Sequence, residues 1–139
     1  MFDFGLTHIA LPVGNIEKSV AFYAKYARMQ IVHRRTDPTT GSDVVWISDR
    51  TRPFVLVLIQ ARKVEHPLLP LAHLGVACAS HEEVERLCAL AQAEGCLQVG
   101  PREAGYPVGY SALLADPDGH TLEIAFGQEV ALTVAQAQQ

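Results

Sequence analysis

Two short stretches of this chain carry the same pattern. Leu6-Thr7-His8-Ile9-Ala10-Leu11-Pro12-Val13 and Leu71-Ala72-His73-Leu74-Gly75-Val76-Ala77-Cys78 are both apolar, rich in β-formers, and have histidine at the third position. Each predicts a strand, and the match predicts an internal repeat. After each the spacing turns helical. Asn15 is placed to cap a first helix, with Ile16, Val20, Tyr23 and Ala27 on one face. Ser80 and Glu83 form a Ser-x-x-Glu capping box for a second, whose apolar stripe is Val84, Leu87, Cys88 and Ala91, with Gly95 at its C-terminal cap.

Three strand-like runs follow each helix, at residues 30–35, 43–48 and 54–60 and again at 97–102, 110–115 and 121–127. Asp37-Pro38-Thr39-Thr40-Gly41 and Asp116-Pro117-Asp118-Gly119 mark turns between them. The pattern predicts an α+β domain spanning residues 1–139 and made of two βαβββ modules, about 5–61 and 71–127. Residues 62–70 form a linker, with Pro67 and Pro70, and 128–139 a tail. A single module leaves one sheet face uncovered, so two are expected side by side as a curved eight-stranded sheet around a cleft.

Strand alternation then sorts the side chains. Ile9, Leu11 and Val13 share one face of the first strand, and His8 shares the other with Ala10. In the repeat, Leu74, Val76 and Cys78 oppose His73, Gly75 and Ala77; in the last strand, Leu122, Ile124 and Phe126 oppose Thr121, Glu123 and Ala125. Small residues beside each histidine leave room for a ligand. His8, His73 and Glu123 are therefore expected to point into one cleft, with Glu123 also the catalytic carboxylate. Two imidazoles and a carboxylate with open positions suit a divalent Fe, Mn, Ni or Zn ion. Glu123 lies between Leu122 and Ile124, where a buried carboxylate without a partner would be costly.

Composition narrows the partners. A net charge of −4 and no cluster of Lys and Arg disfavour nucleic acid and anionic membranes. No apolar run approaches the ~20 residues of a membrane-spanning helix, and the N-terminus lacks the pattern of a signal peptide. Cys78, Cys88 and Cys96 show no Cys-x-x-Cys spacing, which argues against structural zinc and a disulfide framework. Free thiols in the cytoplasm are the expectation.

The segment Asp116-Pro117-Asp118-Gly119-His120-Thr121-Leu122-Glu123 resembles the Asp-Pro-x-Gly-x-x-x-Glu hallmark of the vicinal-oxygen-chelate superfamily, which includes glyoxalases, bleomycin-resistance proteins and extradiol dioxygenases. Thr7-His8-Ile9-Ala10-Leu11, followed by the Ser19-Val20-Ala21-Phe22-Tyr23 helix, resembles that family's opening; the likeness covers residues 5–127. It implies paired βαβββ modules and a metal bound by two oxygens of a small-molecule substrate. It also implies a homodimer with sites at its interface, His8 from one chain and His73 with Glu123 from the other.

Departures from the subfamilies matter too. Glyoxalases add a Glu ligand in the last strand of module one; counting seven residues on from Asp49, as Glu123 lies seven on from Asp116, places that position at Leu56. Leu113 stands where extradiol dioxygenases carry an active-site Tyr, and residues 102–110 hold no histidine. Gln128 and Glu129 stand where fosfomycin-resistance transferases carry a basic residue. The expectation is a metal-dependent enzyme with a lyase- or isomerase-like step. Ring-cleaving dioxygenase and non-catalytic binding protein of the bleomycin-resistance kind are the alternatives. Tyr106 and Tyr110, beside Gly105, Pro107 and Gly109, suggest either a substrate-binding lid or a hairpin with packing tyrosines. His33, next to Arg34 and Arg35, is a candidate for binding an anionic substrate or an exposed edge residue; His81 and His120 are expected to be solvated.

Overall fold

The computed structural model describes residues 1–137, in which eight strands and two helices form two repeats of one order and a third helix follows. Module one comprises β1 (His8–Val13), α1 (Ile16–Ala27), β2 (Gln30–Thr36), β3 (Asp43–Ser48) and β4 (Val55–Gln60). Module two comprises β5 (Leu74–Ala77), α2 (His81–Glu94), β6 (Leu97–Glu103), β7 (Tyr110–Ala115) and β8 (Thr121–Phe126), followed by α3 (Val130–Gln136). The chain divides into two compact units, Met1–Pro67 and Leu68–Gln139. The strands hydrogen-bond four and four, in the orders β1-β4-β3-β2 and β5-β8-β7-β6, so backbone pairing forms one sheet per module. In each, the first strand pairs parallel with the last and the other two pairings are antiparallel. Among the described residues no helix is long and apolar enough to cross a membrane.

The helices start and stop where the sequence signals. Asn15 accepts a hydrogen bond from the Lys18 amide at 3.0 Å, and Ser80 accepts one from Glu83 at 3.0 Å. The Glu83 carboxylate reaches back to the Ala79 amide at 2.9 Å, and Gly95 ends α2 at φ 78°, a left-handed conformation that suits glycine. The buried face of α1 differs from the sequence stripe: Ser19, Phe22 and Tyr26 join Ile16, Tyr23 and Ala27, while Val20 is only half-buried. Phe22 packs against both tyrosines, with ring centroids 5.1 and 4.9 Å away.

One face of each sheet is turned to its helix. In module one Leu56, Leu58 and Gln60 share it: the first two are buried, and Gln60 Oε1 accepts from the Ile16 amide that begins α1. In module two Ala112, Leu114, Leu122 and Ile124 form the corresponding layer, each at most 2% exposed. Cys78 and Cys88 lie buried and Cys96 partly so, with no disulfide among the described residues; burial, then the charge of Glu85, raises the Cys88 thiol. The opposite, helix-free faces carry the residues with chemistry.

Candidate metal centre

Module two brings His73 and Glu123 together. His73 immediately precedes β5, rather than lying inside it, and Gly75 pairs with Glu123 across the parallel β5–β8 ladder. His73 Nε2 lies 4.0 Å from Glu123 Oε2, with the side chains 36% and 15% exposed. A Cβ added to Gly75 would stand 3.5 Å from that same oxygen, so the glycine lets the carboxylate lie close over the strand.

Each member of the pair is held from behind. His73 Nδ1 lies 3.0 Å from the Pro70 carbonyl; an oxygen that only accepts requires the proton on Nδ1, so in the neutral ring it is Nε2, on the Glu123 side, that offers a lone pair to a metal. The chain is anchored two residues before Pro70. The Leu68 amide donates to His120 Nδ1 at 2.9 Å, and the Leu68 carbonyl accepts from the Thr121 amide at 2.7 Å. His120 is thus not solvated, as expected from its turn position, but 1% exposed, because residue 68 lies over it. Asp116 closes the turn by accepting from the amides of Asp118 and His120, both at 2.9 Å. On the other side the Gln128 side chain donates through Nε2 to Glu123 Oε2 at 3.2 Å. Gly127, at φ 78°, turns the chain so that residue 128 comes back over the strand. Sequence reading treated Gln128 only as the absence of a basic group; its signal was a turn-forming glycine directly before an amide.

Donor chemistry fits a divalent ion. Two ligand atoms each ~2.0–2.2 Å from one metal stand roughly 3 Å apart, which the 4.0 Å pair reaches by a small rotation. The hydrogen bonds to Pro70 and from Gln128 are the outer partners that such ligands need. His8 opens β1 in module one, exposed, with Nδ1 2.9 Å from Thr7 Oγ1. Among the described residues no group of three or more His, Cys, Asp or Glu side chains is gathered within the chain to hold a metal.

The remaining candidates fall elsewhere. Tyr110 lies on the helix side of its sheet: its hydroxyl donates to Glu85 at 3.3 Å and its ring packs on His81, 4.5 Å between centroids. Burial, then Glu85, raises its pKa. Tyr106 is exposed and its hydroxyl is 3.0 Å from Thr133 Oγ1 of α3. The loop is a hydrogen-bonded hairpin, tied to the C-terminal segment by Glu129 N–H to the Pro107 carbonyl at 2.9 Å, and neither tyrosine lines the cleft. His81 is exposed yet engaged, 3.5 Å from Glu103. His33 packs on Trp46 at 4.9 Å.

The fourth-ligand position needs correction. Ala10 pairs with Val57 in β1–β4 as Gly75 pairs with Glu123 in β5–β8, and Trp46–Val57 matches Leu113–Glu123. Val57, not Leu56, therefore occupies the place of Glu123. The β3–β4 connection is one residue longer than β7–β8, which defeats counting from Asp49.

The cleft beside the pair measures about 270 Å³ and is lined by His73, Val99, Arg102, Ser111, Leu113 and Glu123, among others. A curated relative, the uncharacterized protein PA2024 of Pseudomonas aeruginosa, is 37% identical over 128 residues, 88% of this chain and 89% of that protein. The fold matches fosfomycin resistance protein FosX of Listeria monocytogenes, solved with Mn(II) and 1S,2S-dihydroxypropylphosphonic acid. That match has a TM-score of 0.71 and 19% identity, covering 96% of this chain and 99% of that one. It also matches the trypanothione-dependent glyoxalase I of Leishmania major, with a TM-score of 0.69 and 20% identity over 96% and 94%. Residues 5–124 match the family model, and the chain belongs to the Glyoxalase/Bleomycin resistance protein/Dioxygenase superfamily.

Proposed function

We propose that this protein is a divalent-metal-dependent enzyme that acts on a small oxygen-rich molecule by a lyase- or isomerase-like step. The observation that carries the reading is the His73–Glu123 pair at 4.0 Å, with each side chain oriented by its own hydrogen bond. The FosX relative was solved with Mn(II), which supports a divalent ion of the Fe, Mn, Ni or Zn group here. The ion, when bound, supplies Lewis acidity toward the substrate's oxygens. His73 and Glu123 hold it, and His8 of a second copy completes the set in a homodimer. The Pro70 carbonyl keeps the proton on His73 Nδ1, Gln128 steadies the carboxylate of Glu123, and Val99 and Leu113 give the cleft an apolar wall.

Elemental analysis of protein purified without chelator tests this. About one divalent ion per chain is expected in the wild type and none in His73→Ala of unchanged circular dichroism. Full occupancy in the folded variant would remove the pair from the site.

A further inference from the structure

The helix-free face of module two holds a positive group that no other described side chain engages. Arg102 lines the same cleft as His73 and Glu123. It makes no ion pair or side-chain hydrogen bond among the described residues. The two arginines of β2 are employed otherwise: Arg34 pairs with Glu17, and Arg35 lies over the Trp46 ring, 5.8 Å from its centroid. Register makes Arg35 and Arg102 counterparts, since Arg35 pairs with Val44 and Arg102 with Ser111, while Trp46 and Leu113 stand at matching places. Leucine offers no π-face to a cation, so the Arg102 guanidinium keeps its donors for a ligand.

We infer that this cleft takes a small organic acid, whose acid group is held by Arg102 while its neighbouring oxygens reach the His73–Glu123 end. The inference rests on the metal reading for that second end. Arg102 pairs across to Ser111 on β7, and Leu113, two residues on, pairs across to Glu123 on β8. Two strand spacings separate β6 from β8 by roughly 10 Å. Side chains reaching in from both sides leave a gap that a ligand of a few heavy atoms spans. A 270 Å³ cleft is of metabolite size, below the range of drug-sized sites. Charge agrees: Arg102 offsets Glu123, so a bound divalent ion leaves the cleft net positive. A carboxylate or phosphonate accepts two parallel N–H groups from a guanidinium, a stronger contact than a neutral hydroxyl makes.

Racemic lactate and propane-1,2-diol are a matched pair of probes, alike in size and differing in the acid group. Titration of metal-loaded and chelator-treated protein, followed by ¹H–¹⁵N resonances of residues 99, 102 and 111 and the Arg102 side chain, reads each separately. Lactate should bind about tenfold more tightly than the diol or better, from a charge-assisted pair. Arg102→Gln should erase that preference, and Arg102→Lys should keep part of it. No preference for lactate in the wild type, including no response to either probe, overturns the proposal, as does a preference that survives Arg102→Gln. An Arg102-dependent preference in a chain that takes up no metal sinks the metal reading alone. Stoichiometric metal with Arg102-independent binding sinks this inference alone.

Discussion

In module one, Trp46 faces Val57 across the β3–β4 pair and is flanked by His33 and Arg35, one ring 4.9 Å away and one guanidinium 5.8 Å away. In module two the same register places hold Leu113, Glu123, Val99 and Arg102, and a cleft lies among them. The backbone arrangement is repeated almost strand for strand. What differs is whether the helix-free face is covered by its own indole or left open beside a carboxylate. A repeat of this kind can specialise one half for chemistry without altering the fold, because the core layers under α1 and α2 are separate from that face.

The sharpest way to break this comparison is to confuse the two faces of β4. Leu56 is 2% exposed on the side of α1, so Leu56→Glu buries an unpaired charge and should cost about 4 kcal/mol or more by urea denaturation. Val57→Glu, on the other face, should cost roughly 2 kcal/mol and tighten metal binding by supplying the missing carboxylate. Equal costs would mean that the β4 register is wrong.

Two turn comparisons predict smaller effects. Gly109→Ala would place a Cβ 2.4 Å from the Phe126 carbonyl oxygen at φ 82°, whereas Gly41→Ala, at φ 74°, meets nothing within 4 Å. About 3 kcal/mol is expected for the first and about 1 kcal/mol for the second. Asp116 is buried and satisfies two amides, while Asp49, exposed, accepts from the amide and hydroxyl of Thr51. Asp116→Ala should cost about 2–3 kcal/mol, and Asp49→Ala under about 1 kcal/mol, as chemical denaturation midpoints will report.

Much of this was legible in residues because local signals agreed. Asn15, Ser80 and Gly95 cap the helices that they predict, and the His8 and His73 segments lead into matching strands. What counting missed came from one-residue irregularities and from tertiary cover. An extra residue between β3 and β4 moved the Glu123 counterpart from Leu56 to Val57. An irregular β6 register around Gly100 and Pro101 hid the place of Arg102 from simple alternation. His120 reads as a polar turn residue until the backbone of Leu68 is laid over it, 52 positions away in sequence. Tyr110 was placed by its neighbourhood to Gly109, whereas its parity with Ala112 and Leu114 puts it on the helix side.

The central claim is that module two holds two ligands and needs His8 from a second copy. Mixing His8→Ala with Glu123→Ala protein under subunit exchange, and counting bound metal, tests it most directly. Each variant alone should bind none stoichiometrically. Random mixing should restore about a quarter of the wild-type metal, because half the dimers contain one intact site of two. A mixture that stays empty despite proven exchange, or His8→Ala that retains full metal alone, would contradict the account.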